Sequence, residues 1–253
     1  MGDLLNQELC DELRDVINQT DIFIKDEKES KRFLFICALM DRFDTAVKYI
    51  NEHQKKPDSE EKLIIFMVYS CIIKDGIDYI KNSLKIGKSE DRKIFEDIYK
   101  KEPINISDNV QFDDDKFFSY FRSLIFAHPL YTSRSIPMSE ENEIQYSPYI
   151  IENSLYIRII PGLIGVKIYS NKREIIEPLL ISFESLKEYI KGKYEELNDV
   201  ITKFKQIIEE KETEWKKHKV NRDQEAVDVL KDCVNILEER YMDTYEIHKL
   251  ITY

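Results

Sequence analysis

The segment from Ser182 to Ile208, SFESLKEYIKGKYEELNDVITKFKQII, decides the fold. Leu186, Ile190, Tyr194, Leu197, Ile201, Phe204 and Ile208 recur by fours and threes among lysines and glutamates. That spacing puts one apolar stripe along a long helix whose other faces are charged. The same stripe could seal a bundle within the chain or a coiled coil between chains, and the bundle is the simpler expectation. Long C-terminal helices are therefore expected over 182–253, the last of them from about Gln224 to Tyr253.

Upstream, Phe33, Ile36, Cys37, Met40, Phe43, Val47 and Ile50 repeat at the same period from Ser30 onward, which predicts a second amphipathic helix. Pro57 and the run Asp58-Ser59-Glu60-Glu61 have the composition of a helix start: a cap followed by acids at the positive end of the dipole. The helix they open contains the apolar run Leu63 to Ile73 and extends to about Leu84. That run is far below the roughly 20 residues needed to span a bilayer, so it reads as a buried core helix. The polar stretch Asn105 to Asp115 reads as a loop, its three aspartates serving as a solvated helix start rather than a metal site. Phe117, Phe118, Phe121, Leu124, Ile125 and Phe126 then form a strongly apolar helix.

After Pro137 the pattern changes. Tyr149–Ile151, Leu155–Ile160 and Gly165–Tyr169 are β-branched and aromatic, and turn formers separate them. A small antiparallel sheet or hairpin inserted over 145–173 is expected, packed on helices because three short strands have no core of their own. The expectation is thus a mainly α protein, a helical bundle forming one domain over 1–253 with that β insertion.

With 42% hydrophobic and 34% charged residues, six glycines and seven prolines, the chain has an ordinary globular composition. Its net charge of -11 excludes nucleic-acid binding by overall attraction, so any such contact must be local. Two acid-free islands offer one: 116–139 holds Lys116, Arg122 and Arg134, and 153–173 holds Arg158, Lys167, Lys172 and Arg173. Tyr131, Tyr149, Tyr156 and Tyr169 lie in or near them and could stack on unpaired bases. Cys10, Cys37, Cys71 and Cys233 are widely spaced, which suggests reduced thiols and neither zinc nor a disulfide framework. The acidic N-terminus has no secretory pattern, so a cytoplasmic protein without membrane attachment is expected. Gly87-Lys88-Ser89 lacks the upstream glycine of a phosphate-binding loop, where Asn82 stands.

The remaining feature is Arg122-Ser-Leu-Ile-Phe-Ala-His128-Pro129. It pairs a permanent cation with the side chain that titrates near neutrality. Six residues along an ideal helix turn these two about 120° apart, but Pro129 disfavours helix at His128 and lets the histidine turn back. Cleaving RNA without a metal requires a base for the ribose 2′-hydroxyl, an acid for the leaving oxygen and positive charge on the phosphate. Arginine and histidine supply much of this. The spacing resembles the Arg-x(4-6)-His motif of the HEPN superfamily of helical ribonucleases, found in toxin and antiphage defence systems.

The resemblance implies an endoribonuclease acting as a homodimer without cofactor or metal, with Arg122 on the phosphate and His128 in proton transfer or in orienting the bond. The family places a polar residue after the arginine; Ser123 occupies that position. Beside this pair, Ser123, Tyr131, Arg134, Lys172 and Arg173 are the expected RNA contacts, the strand insertion forming part of the groove. The alternatives are a non-catalytic interaction or sensor subunit that binds a regulatory protein through the 186–208 stripe, and a module that binds RNA without cutting it.

Overall fold

A computed structural model describes residues 2–99, 113–127, 146–150, 162–170 and 178–244. It is mainly α with a small antiparallel sheet, and it divides into two compact units. Unit 1 comprises Met1–Asn6, Phe43–Asp78 and Lys88–Glu196; unit 2 comprises Gln7–Arg42, Tyr79–Gly87 and Leu197–Tyr253.

Unit 1 contains the second half of helix α3 (Ser30–Glu52) and most of α4 (Glu60–Ser83). The Ser59 hydroxyl accepts the Lys62 N–H at 3.3 Å and so caps α4, as the local sequence predicts. Phe43, Ala46, Val47 and Ile50 of α3 are fully buried, as are Met67, Ile73 and Ile77 of α4. The short α5 (Glu96–Tyr99) precedes α6 (Asp114–Arg122), which continues as a π-helical segment, Ser123–Ala127. Strands β1 (Tyr146–Ile150), β2 (Leu163–Ser170) and β3 (Leu179–Ser182) pair antiparallel in that order. The register sets Ile150 opposite Val166 and Val166 opposite Leu179; with Ile164 and Ile181 these form a buried apolar face.

β3 is absent from the sequence reading because four residues directly before a helix leave no room for alternation to register. The predicted strand Leu155–Ile160 lies outside the described residues. Ser182 both ends β3 and caps α7 (Phe183–Glu195), its hydroxyl accepting the Glu184 N–H at 3.2 Å. Aromatic pairs join these elements: Phe66 with Phe183, Phe95 with Phe117, and Phe118 with Tyr189, each at 4.8 Å between centroids.

Unit 2 contains α1 (Gln7–Asn18), α2 (Ile22–Lys25), the first half of α3, α8 (Leu197–Lys217) and α9 (Ala226–Glu239). Helix α1 buries Cys10, Leu13, Val16 and Ile17 and packs along α8, while Phe23 meets Phe204 edge to face at 5.1 Å. The chain ends α9 well before the expected Tyr253. Tyr241 adopts a left-handed conformation (φ 61°), its N–H donating to the Glu238 carbonyl and that of Met242 to Leu237, a Schellman closure. A tyrosine there costs about 1 kcal/mol relative to glycine. Its side chain offsets this by donating to Asp26 at 3.1 Å and setting its ring edge-on to Trp215.

Asp26 is the polar centre of this corner. It accepts the Lys28 and Glu29 N–H groups and the Tyr241 hydroxyl, and pairs with Lys211 at 3.0 Å. Burial raises its pKa, but Lys211 and these hydrogen bonds outweigh burial and bring it from 3.8 to about 2. A depressed acid stabilises the fold above its unfolded pKa and ceases to do so as pH falls through the folded value. Asp26→Asn is therefore expected to cost on the order of 2 kcal/mol at neutral pH, with the difference vanishing toward pH 2, as denaturant titrations at a series of pH values would read.

The apolar stripe of 186–208 lies in both units, with Leu186, Ile190 and Tyr194 in unit 1 and Leu197, Ile201, Phe204 and Ile208 in unit 2. All seven are buried. A turn at Glu196 separates α7 from α8. The stripe is spent on the chain's own core, so it is not the partner surface that the interaction reading assigned to it.

Candidate functional site

Arg122 closes α6, whose start is fixed by Asp113: its carboxylate accepts the Lys116 N–H at 2.7 Å. The next residue, Asp114, corrects the expectation of a solvated acidic start. It is 4% exposed and accepts the Ile94 and Phe95 N–H groups, each at 2.9 Å, tying α6 to the start of α5. Phe117, Phe118 and Phe121 bury the inner face of α6, and Arg122 emerges at its end with 29% of its side chain exposed.

From there Arg122 Nη1 donates to Asp75 Oδ2 of α4 at 3.1 Å. Its Nε is buried with no hydrogen-bond partner among the described residues. The guanidinium also faces Cys71, whose thiol burial pushes up to about 11 despite this cation, so Cys71 is a packed thiol and no nucleophile.

Asp75 connects Arg122 to a chain of alternating charges. Lys74 donates to Asp75 at 3.3 Å and to Asp78 at 2.9 Å. Lys193 of α7, buried, donates to Asp78 at 2.7 Å, Asp115 at 3.1 Å and Glu196 at 3.4 Å. Tyr189 donates its hydroxyl to Asp115 at 2.6 Å. Burial alone would lower the pKa of Lys193, but the three carboxylates outweigh it and hold the ammonium above its ordinary value. Burial would raise Asp78, and Lys193 and Lys74 bring it below the usual carboxylate range. The phenol of Tyr189 is pushed up, first by burial and then by Asp115, so it acts as a donor. Three carboxylates converge on one ammonium, and among the described residues no cluster of His, Cys, Asp or Glu is placed to hold a metal ion.

Of the expected site residues, the structure places Arg122 and Ser123. Ser123 is 2% exposed and donates its hydroxyl to the Tyr120 carbonyl at 2.7 Å, so it supports the helix junction and offers a ligand no surface. His128, Tyr131, Arg134, Lys172 and Arg173 lie outside the described residues. β1 packs against the π segment that follows Arg122. On the sheet, Tyr149 is in register with Lys167 and Ser147 with Tyr169. Helices with π segments recur at functional sites, and this one follows the candidate cation directly.

Little in the sequence marks Asp75, Asp78, Tyr189 or Lys193, and Asp115 is legible there only as part of an acidic helix start. The i, i+4 pair Lys74 and Asp78 is the one local signal that could have drawn attention to them. No helix among the described residues is long and apolar enough to cross a membrane. No protein-family model, curated protein or solved structure matches this chain.

Proposed function

We propose that this protein is a metal-independent endoribonuclease in which Arg122 holds the scissile phosphate. The observation behind it is the placement of Arg122, anchored to Asp75 at 3.1 Å where α6 passes into a π segment flanked by β1. Arginine presents several N–H donors in a fixed fork, so one can stay on Asp75 while others meet phosphate oxygens. His128, six residues on, takes the 2′-hydroxyl proton; the 2′-oxygen attacks phosphorus and the 5′-oxygen leaves with a proton. The products are a 2′,3′-cyclic phosphate and a 5′-hydroxyl. A homodimer completes the site with a second Arg122 and His128, and the biological setting is a toxin or antiphage effector. The acidic surface limits indiscriminate RNA binding or receives a regulatory partner.

Incubating labelled single-stranded RNA and tRNA with the protein in EDTA tests this. Cleavage with those end groups, lost in folded His128→Ala, is the expected result; no cleavage of any cellular RNA by the wild type would refute it. A second reading, a non-catalytic interaction subunit, is favoured by α9, where Val227 and Leu230 are 52% and 41% exposed. It predicts that Arg122→Ala leaves the biological effect intact while Val227→Asp with Leu230→Asp abolishes it.

A further inference from the structure

We infer a second RNA contact, in unit 2, formed by Lys216, Lys217, Lys219 and Arg222 at the end of α8 and in the connector to α9. This rests on the RNA reading above and extends it by assigning part of the surface that holds the RNA backbone. The stretch Trp215–Arg222 contains four cations and no acid, in a chain of net charge -11. It is bounded by Glu209, Glu210, Glu212 and Glu214 before it and by Asp223 and Glu225 after it. All four cations are exposed. Lys216 pairs with Glu212 at 3.5 Å, whereas Lys217, Lys219 and Arg222 have no carboxylate partner among the described residues.

A structural explanation covers only half of the cluster. Lys216 and Lys217 lie in the last turn of α8, where a cation complements the negative end of the helix dipole. That effect falls off within one turn, and Lys219 and Arg222 lie beyond the helix. Solubility does not require them either, since the chain is already far from neutrality. An acidic protein that handles RNA needs cations gathered locally to displace counterions from the phosphates, and this is such a gathering. Its fit is to backbone and carries no base preference.

The test is fluorescence anisotropy of a short labelled oligouridine with the full chain. The patch variant is Lys217→Ala/Lys219→Ala/Arg222→Ala, and the charge-matched control is Lys55→Ala/Lys88→Ala/Lys191→Ala, all three of which are exposed. Each phosphate neutralised on a single strand contributes about 0.7 to the slope of log K against log salt. The patch variant should therefore bind about tenfold or more weakly at about 50 mM salt and lose about 2 from that slope, while the control follows the wild type. Equal losses in both variants, or none in either, would overturn the proposal. So would a patch variant that loses binding to phosphatidylserine vesicles but keeps its RNA affinity. Cleavage by the wild type that the patch variant matches in binding and rate would sink the patch and leave the nuclease reading standing. Weakened RNA binding with no cleavage by the wild type would retain the patch and discard the nuclease.

Discussion

Lys193→Met is expected to destabilise the protein by about 3–5 kcal/mol, the cost typical of removing one partner from a buried ion group. Methionine fills a similar length of aliphatic chain, so little of the loss comes from a cavity. What is lost is the ammonium on which Asp78, Asp115 and Glu196 converge within 3.4 Å. Asp78 retains Lys74 and Asp115 retains the Tyr189 hydroxyl, which keeps the loss within that range rather than above it.

The pH dependence gives a second readout. In the wild type Lys193 is raised, so its contribution is complete below the unfolded lysine pKa of 10.5 and fades as pH rises through the folded value above it. Asp78 is lowered, and its contribution fades only as pH falls below 3.8. In the variant Asp78 loses Lys193, one of the two cations that lower it, so the deficit should shrink as pH falls below 3.8, where the wild type loses that carboxylate's contribution as well. A loss under 1 kcal/mol in urea titrations, flat with pH, would show that the network does not hold unit 1 together.

For Arg122→Ala the proposed function predicts a fall in kcat for RNA cleavage of about 10²–10³, the effect of removing one donor aimed at developing negative charge. The stability cost should stay within about 1 kcal/mol, because the partner carboxylate of Asp75 is 54% exposed and keeps Lys74 at 3.3 Å. Loss of rate in a folded protein is the signature sought. Arg122→Lys retains the charge but not the fork, and should recover only part of the rate. Single-turnover cleavage with saturating enzyme reads the chemical step directly; wild-type rates in Arg122→Ala would end the proposed role of this residue.

How far the site could be read from the sequence follows from the distances along the chain. Arg122 was legible because its evidence is local: a helix-ending pattern, an acid-free neighbourhood and a histidine six residues on. Its anchor was not, since Asp75 lies 47 positions away and an exposed aspartate on a helix has no mark of its own. Asp115 was misread as part of a solvated run for the same reason. Its partners Tyr189 and Lys193 follow 74 and 78 residues later, beyond any periodic signal.

The sequence by itself determined the buried faces and the starts of α3, α4, α6 and α7, but not the helices α1, α2 and α5 or the break at Glu196. Side-chain spacing at three and four residues and the capping hydroxyls of Ser59 and Ser182 act within one or two turns. It determined as well that any RNA contact must be local, because net charge is additive and needs no fold. Only the tertiary structure decided where the apolar stripe of 186–208 is used, which carboxylates meet Lys193 and what holds Arg122. Those pairings join residues that are distant in the chain, and their energies come from burial and from charges brought within 4 Å, neither of which exists before the helices pack.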